Sequence, residues 1–215
     1  MEALLALYAA PYDAQEPALC YDERPCYLIG EAVAALPMTT GQVAKEHYAY
    51  TKNGSCSLLA ALEPLTGKRL GLVRVQRTKK EYTEFCQALV AAWPAAKKIH
   101  LVQDNLNTHN ASAFYEHLPA AQARELAAKL EFHYTPKGAS WLNMIEIEFS
   151  ALARECLQRR IPPQEELERE VLALLKERAT KGIRINWQFS VQAAREKLNA
   201  HYTRVQPDNS QYQKT

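Results

Sequence analysis

Hydrophobic and polar positions change period along the chain, and the first third has the pattern of strands. Apolar runs at 56–62 (CSLLAAL) and 69–76 (RLGLVRVQ) predict two strands joined by a short loop. The segment 18–30 (ALCYDERPCYLIG) predicts two further short strands around a turn at 24–25, and the sequence NGS at 53–55 predicts another turn. This region therefore has the pattern of an antiparallel meander.

The pattern then becomes helical and alternates with strands. From Thr78, a suitable N-cap, to Pro94, which ends the helix, apolar residues recur at intervals of three and four. Runs at 98–103 and 131–135 predict strands, with a helix over 120–130 between them. A meander followed by alternating helices and strands indicates an α/β fold, a mixed five-stranded sheet flanked by helices.

The C-terminal part is predicted to be helical. Ser140 is placed to cap a long helix over 141–160, another helix runs from the Pro162-Pro163 pair towards Gly182, and a last helix follows Ser190. We expect residues 1–160 to form the main domain. Residues 161–215 are expected to form a helical extension packed on it, with a disordered tail from about residue 206.

Composition limits the possible function classes. The 215 residues fit one large domain, and no apolar run approaches the length that spans a membrane. The apolar N-terminus lacks a basic region and predicts a short helix rather than a signal peptide. Five scattered cysteines indicate a reduced, cytoplasmic protein. A net charge of +2 means that nucleic-acid binding requires a local basic patch.

The candidate chemistry begins where the strand at 98–103 ends, in the stretch KKIHLVQDNLNTHN (97–110). Asp104 follows the strand directly, and a lone Asp at such a position more often caps a turn than binds a metal. The alternative is a metal ligand at the carboxyl end of a central strand, where open α/β sheets place their sites. Partners elsewhere in the chain have to decide between the two.

Two other parts of the chain contain acids that could join Asp104 in a metal site. Asp22 is expected to close the first strand as Asp104 closes the fourth. A third acid has to come from the helix after Ser140, where Glu146 and Glu148 lie on opposite edges of the apolar stripe. Only one of the two can point at the site, and the helical period alone does not choose between them.

These blocks resemble the catalytic domain of DDE-type transposases of the bacterial insertion-sequence branch related to mariner elements. The matching stretches are YDERPCYLIGE, KKIHLVQDNLNTH, EFHYTPKGASWLNMIEIEFSAL, RECLQRRIP and NWQFSVQAAREKL. The resemblance spans roughly residues 1 to 203 and implies an RNase H-like fold. It also implies catalytic, metal-binding roles for Asp22, Asp104 and Glu146, because the third acid follows the Asn of the last block.

The resemblance implies DNA strand cleavage and strand transfer that depend on two divalent ions, either Mg²⁺ or Mn²⁺. Carboxylate ligands suit such hard ions, and a pair of carboxylates at 4 Å repels by about 4 kcal/mol unless a cation or a proton intervenes. Asp22 is expected to bridge the two ions, with one ion each for Asp104 and Glu146. The two ions would clamp an in-line displacement at phosphorus.

Supporting residues are expected around this trio. Asn105, Asn107, His109 and Asn143 are candidates to orient ligands or water, while Asn105 and Asn107 have the alternative of bonding to loop backbone. Candidates for contacting DNA are Lys137, Trp141 and Arg154. For Trp141 the alternative is core packing. For Arg154, with Arg159 and Arg160, it is a solvated helix face.

The expected partner is double-stranded DNA, at transposon ends and target, with the chain acting as a homodimer or pairing with a full-length transposase in the bacterial cytoplasm, at the nucleoid. The resemblance also implies an N-terminal helix-turn-helix region, which we expect this sequence to lack. Two other hypotheses remain: an RNase H-like nuclease, and a truncated, non-catalytic inhibitor of a full-length transposase. A Ser/His hydrolase is not supported, because no GxSxG elbow is present.

Overall fold

One mixed sheet of five strands organises the computed structural model, which describes residues 1–34, 36, 38–43, 47–206 and 208–209. The strand order is β3-β2-β1-β4-β5. The first three strands pair antiparallel, and the last two add in parallel on the other side of β1. The strands are β1 (Ala18–Glu31), β2 (Tyr50–Leu62), β3 (Arg69–Arg74), β4 (Ile99–Gln103) and β5 (Leu130–Tyr134). The predicted mixed five-stranded sheet is confirmed.

Helices cover both faces of this sheet. They are α1 (Glu2–Ala9), α2 (Lys79–Ala92), α3 (Ser112–His117), α4 (Ala120–Lys129), α5 (Ile145–Glu155), α6 (Gln164–Thr180), α7 (Val191–Lys197) and α8 (Asn199–Val205). Buried residues of α2, α3 and α4 form one core with the sheet, and those of α1, α5, α6 and α7 form a second core on the opposite face. No helix in the described part of the chain is long and apolar enough to cross a membrane.

Helix α2 follows the sequence prediction closely. The Thr78 side chain accepts a hydrogen bond from the first turn, and Glu81 bonds back to the Thr78 backbone, which completes a capping box. The helix ends at Ala92, with Trp93 as its C-cap residue just before Pro94. Apolar residues on its inner side are fully buried at Tyr82, Phe85 and Leu89.

The predicted turns at 24–25 and 53–55 are wrong, because both segments lie inside long strands. The parallel pairing of β1 with β4 ends at Cys20. Beyond that point β1 has β2 as its only described neighbour, so its other side is a sheet edge. Pro25 lies on this stretch of β1, where its missing N–H is tolerated. Gly54 has φ +110° and lies near a register shift between Tyr27 and Ile29, so it marks an irregularity in the hairpin rather than its turn.

The predicted long helix over 141–160 is also wrong. A short 3₁₀ turn, Ser140–Leu142, comes first, and α5 begins only after the extended residue Asn143. The last predicted helix is divided at Leu198 into α7 and α8. Helix α3 was not predicted, because six residues are too few to establish a helical period. The predicted disordered tail lies, apart from residues 206 and 208–209, outside the described residues.

Candidate active site

The sheet brings Asp22 and Asp104 to one place on one face. Cys20 pairs with Val102 at the end of the parallel β1–β4 ladder, and both belong to the core beneath α5. Side chains alternate along a strand, so Asp22, two residues after Cys20, and Asp104, two residues after Val102, lie on that same side. Asp22 does not close β1 as predicted. It lies within the strand, at the point where β1 separates from β4.

Asn143 attaches the start of α5 to this point. Its side chain is buried and donates from Nδ2 to the backbone carbonyl of Tyr21 at 2.8 Å, next to Asp22. The Asn143 carbonyl in turn accepts from the Glu146 N–H at 3.2 Å. The first turn of α5 is therefore fixed against β1, and the break in the predicted helix has a physical cause in this side-chain hydrogen bond.

The environment of the two glutamates in α5 differs sharply. Glu148 is 1% exposed and accepts from the guanidinium groups of both Arg69 and Arg178 at 2.8 to 3.2 Å. Burial opposes its ionisation, but the two arginines hold the pKa of Glu148 below its usual value. Glu148 is thus a structural ion-pair residue, whereas Glu146 remains half-exposed on the neighbouring side of the helix.

Asp22 is electrostatically coupled to both other acids of the predicted trio. Burial raises the pKa of Asp22 to about 7, and the negative charges of Asp104 and Glu146 raise it as well. The Glu23 N–H, which donates to Asp22 Oδ1 at 2.7 Å, works in the opposite direction. These residues form a cluster of like charge that favours a proton or a cation.

The trio is spread rather than tightly packed. Among the described residues, the three side chains whose ligand atoms all lie within 4.8 Å of one another are His100, Glu131 and His133, and not the three acids. Oxygen-only donors on a water-accessible rim nevertheless fit a hard divalent ion. A bound cation would counter the negative charges of Asp104 and Glu146, which raise the pKa of Asp22 in its absence.

His109 is fully buried and joins the acidic cluster to the other side of the sheet. Its Nδ1 contacts Asp104 Oδ1, and its Nε2 lies 3.2 Å from Glu23 Oε1. Burial lowers the pKa of His109, but its contacts with Asp104 and Glu23 outweigh this and raise the pKa to about 9. The ring also stacks on Tyr82 with a centroid distance of 5.0 Å.

The loop after β4 is held by groups that sequence reasoning did not single out. Gln103 Nε2 donates to the His109 carbonyl at 2.8 Å, and the Tyr134 hydroxyl donates to the same carbonyl at 3.0 Å. Tyr82 donates to Gln103 Oε1, and Tyr21 donates to Glu23 Oε1. The one available signal was Gln103 itself, an amide at the end of an otherwise apolar strand.

The remaining predicted residues lie at the surface. Asn105, Asn107, Lys137 and Arg154 are exposed. Trp141 is 48% exposed and meets Phe189 edge to face at 5.4 Å, so its alternative role as a core residue is excluded.

Two neighbouring arginines have protein partners. Arg159 pairs with Glu166 and Glu170, and Arg160 donates to the carbonyls of His47 and Ala49.

Fold and site together define a class: an RNase H-like α/β domain with carboxylates on one face of the sheet, where β1 and β4 separate. A family model described as "DDE superfamily endonuclease" matches residues 17–168. The chain belongs to this family. A search of curated proteins found no significant match.

Two solved structures show the likeness in fold. The Mos1 transposase paired-end complex with the left transposon end has 15% identity and a TM-score of 0.55, over 85% of this chain and 55% of that one. A pre-cleavage Mos1 transpososome has 14% identity and a TM-score of 0.50, over 86% and 61%. The chain therefore spans little more than half the length of these relatives.

Proposed function

We propose that this chain is the catalytic domain of a transposase that cuts and joins DNA at transposon ends. Asp22, Asp104 and Glu146 are proposed as its catalytic carboxylates. The observation that carries the proposal is the coupling of Asp22 to the charges of both other acids, while Glu148 is neutralised by two arginines. Family membership supports the reaction class.

The three carboxylates would hold two divalent ions, either Mg²⁺ or Mn²⁺. When bound, these ions would activate water or a DNA 3′-hydroxyl and stabilise the departing oxygen of the phosphodiester. The protein's own contribution is to hold the ligands in place before the ions arrive. The positive charge of His109 orients Asp104, and Asn143 fixes the turn that carries Glu146.

Double-stranded DNA is the proposed partner. One of the two similar structures is a paired-end complex with a transposon end and the other is a transpososome, and this supports the assignment. Lys137, Trp141 and Arg154 are exposed side chains of the types that bind phosphate or stack on bases, which suits them to contact DNA beside the acids. Assembly as a homodimer, or with a longer transposase, is part of the same proposal.

The test is a nicking and strand-joining assay on supercoiled plasmid, run with no added metal, with Mg²⁺ and with Mn²⁺. We expect activity in the two metal-containing reactions and none with excess chelator. Asp104→Asn is expected to abolish the activity while the far-UV circular dichroism and unfolding midpoint stay close to those of the parent chain. Glu125→Gln, an exposed carboxylate on α4, is the matched control and keeps full activity.

The alternative hypotheses give different results in the same assay. Nicking without any joined product favours a simple nuclease. No cleavage at any metal concentration, together with co-elution with a full-length relative, favours an inhibitor. Equal activity in the Asp104→Asn and parent proteins rules out the proposed catalytic role of Asp104.

A further inference from the structure

A second group of metal-ligand side chains lies on the pair β4 and β5. His100 is the second residue of β4, and Glu131 and His133 are alternate residues of β5. The register places His100 opposite Glu131 and Val102 opposite His133. All three side chains therefore project from the same face of the sheet, at its edge strand.

Their ligand atoms form a compact triangle. His100 Nδ1 lies 3.0 Å from His133 Nε2, and the same oxygen, Glu131 Oε1, lies 3.7 Å from the first nitrogen and 3.5 Å from the second. The point in their plane that is equidistant from these three atoms is about 2.0 Å from each, which is close to Zn–N and Zn–O bond lengths. Three protein ligands of a zinc-type site are thus already close together, and an ion displaced slightly from their plane would keep an open position for water.

The surroundings suit an ion with an open coordination position. The three side chains are 17%, 22% and 44% exposed for His100, His133 and Glu131, so water reaches the triangle. The second carboxylate oxygen of Glu131 lies 3.4 Å from Lys98 Nζ, which restrains the carboxylate while Oε1 faces the histidines.

We propose that His100, Glu131 and His133 form a site for a divalent transition-metal ion of the zinc type. Two imidazole nitrogens and one carboxylate oxygen form a donor set that binds such ions in preference to Mg²⁺ or Ca²⁺. The site is chemically distinct from the oxygen-only acidic cluster, and its existence does not depend on the proposed DNA chemistry.

An ion at this position would join the edge strand to its neighbour. Strand β5 is five residues long, and among the described strands it pairs with β4 alone. Its last residue, Tyr134, also holds the loop behind Asp104 through the His109 carbonyl. The ion would therefore stabilise the strand that supports the candidate active site, as ligands that bind only the folded state raise its stability.

Cobalt(II) titration of the untagged, chelator-treated chain tests this directly. We expect one equivalent to bind and give the visible absorption of a nitrogen- and oxygen-ligated, near-tetrahedral ion, which Zn²⁺ then displaces. Excess Mg²⁺ is present throughout to occupy oxygen-only sites. All five cysteines are buried, so thiolate charge-transfer bands are not expected. In parallel, Zn²⁺ should raise the melting temperature.

His100→Gln and His133→Gln should each weaken Co²⁺ binding by roughly tenfold or more, by analogy with the effect of weakening a metal's supporting groups. Glu131→Gln, at a more exposed position, provides a variant that is safe for folding. His117→Gln changes an exposed histidine on α3 and should bind like the parent chain, and Asp104→Asn should do the same. Absence of Co²⁺ uptake by the parent chain, or uptake that survives both histidine changes, would overturn the proposal. The first result means that the two rings are only hydrogen-bonded to each other.

Discussion

Glu146 and Glu148 are two residues apart on α5, yet they have different chemical roles in this structure. The carboxylate of Glu148 is enclosed between Arg69, itself 1% exposed, and Arg178. Glu146 instead contributes negative charge at Asp22. The helical period placed the two acids on opposite edges of the apolar stripe, but only the partners across the fold distinguish them.

Changing each glutamate to glutamine should separate activity from stability. Glu146→Gln is expected to abolish metal-dependent DNA cleavage with little change in urea unfolding, since its side chain makes no ion pair within the part of the chain that the structure describes. Glu148→Gln should reduce the free energy of unfolding by about 3–5 kcal/mol, because it leaves the buried Arg69 charge uncompensated. Loss of activity in a stably folded Glu148→Gln protein, with Glu146→Gln fully active, would reverse the assignment.

His109 is the other residue whose role can be isolated. His109→Gln removes the positive charge between Asp104 and Glu23, and we expect activity to fall roughly 10–100-fold, as when ligand-orienting groups are changed. The measurement is the Mg²⁺ concentration dependence of nicking, which should shift to higher Mg²⁺. An unchanged Mg²⁺ dependence in a folded variant would show that His109 only fills the core.

At the scale of elements, the start of α5 decides where the third acid lies. The sequence predicts one long helix, whereas the structure interrupts it at Asn143. The side-chain amide of Asn143 donates a hydrogen bond to the Tyr21 carbonyl. The 3₁₀ turn before it and the helix after it are therefore aligned by β1 rather than by local propensity. The position of Glu146 is a property of two elements together.

Asn143→Ala should loosen this attachment. The loss of a buried hydrogen bond is expected to cost about 1–3 kcal/mol of unfolding free energy, and cleavage should fall more than stability alone explains, because Glu146 is no longer held near Asp22. Ser140→Ala, at an exposed position in the preceding turn, is the matched control. Comparison is made at a temperature where both variants are fully folded. Full cleavage by Asn143→Ala would show that α5 is positioned by its apolar face alone.

At the scale of the whole molecule, the first and the C-terminal helices are joined by an ion pair. Glu2 accepts from Arg195 at 2.8 Å and from the Tyr202 hydroxyl at 2.8 Å. These hydrogen bonds lower the pKa of Glu2 from 4.5 to about 2. Apolar residues of α1, α6 and α7 also share one core with the sheet, so the C-terminal helices pack on the same body.

This ion pair predicts an acid dependence of stability. The folded-state pKa of Glu2 is below its unfolded value, so its contribution is fully present above about pH 4.5 and is lost as the pH falls towards 2. Glu2→Gln should unfold at lower urea concentration than the parent chain near pH 7, and the difference should narrow between pH 4.5 and pH 3. A difference that stays constant with pH would mean that the pair contributes nothing through charge.

The sequence by itself determined the mixed sheet, the Thr78 N-cap of α2, and the acid that follows β4, because each depends on neighbours within a few residues or on a sequence motif. Only the tertiary structure decided which glutamate is neutralised, why Pro25 fits inside a strand, and which groups meet His109. It also brought His100 to His133. These contacts join residues 79, 86 and 33 positions apart for Arg69–Glu148, Glu23–His109 and His100–His133. Local periodicity carries no information at such separations, and packing of the sheet against its helices supplies it.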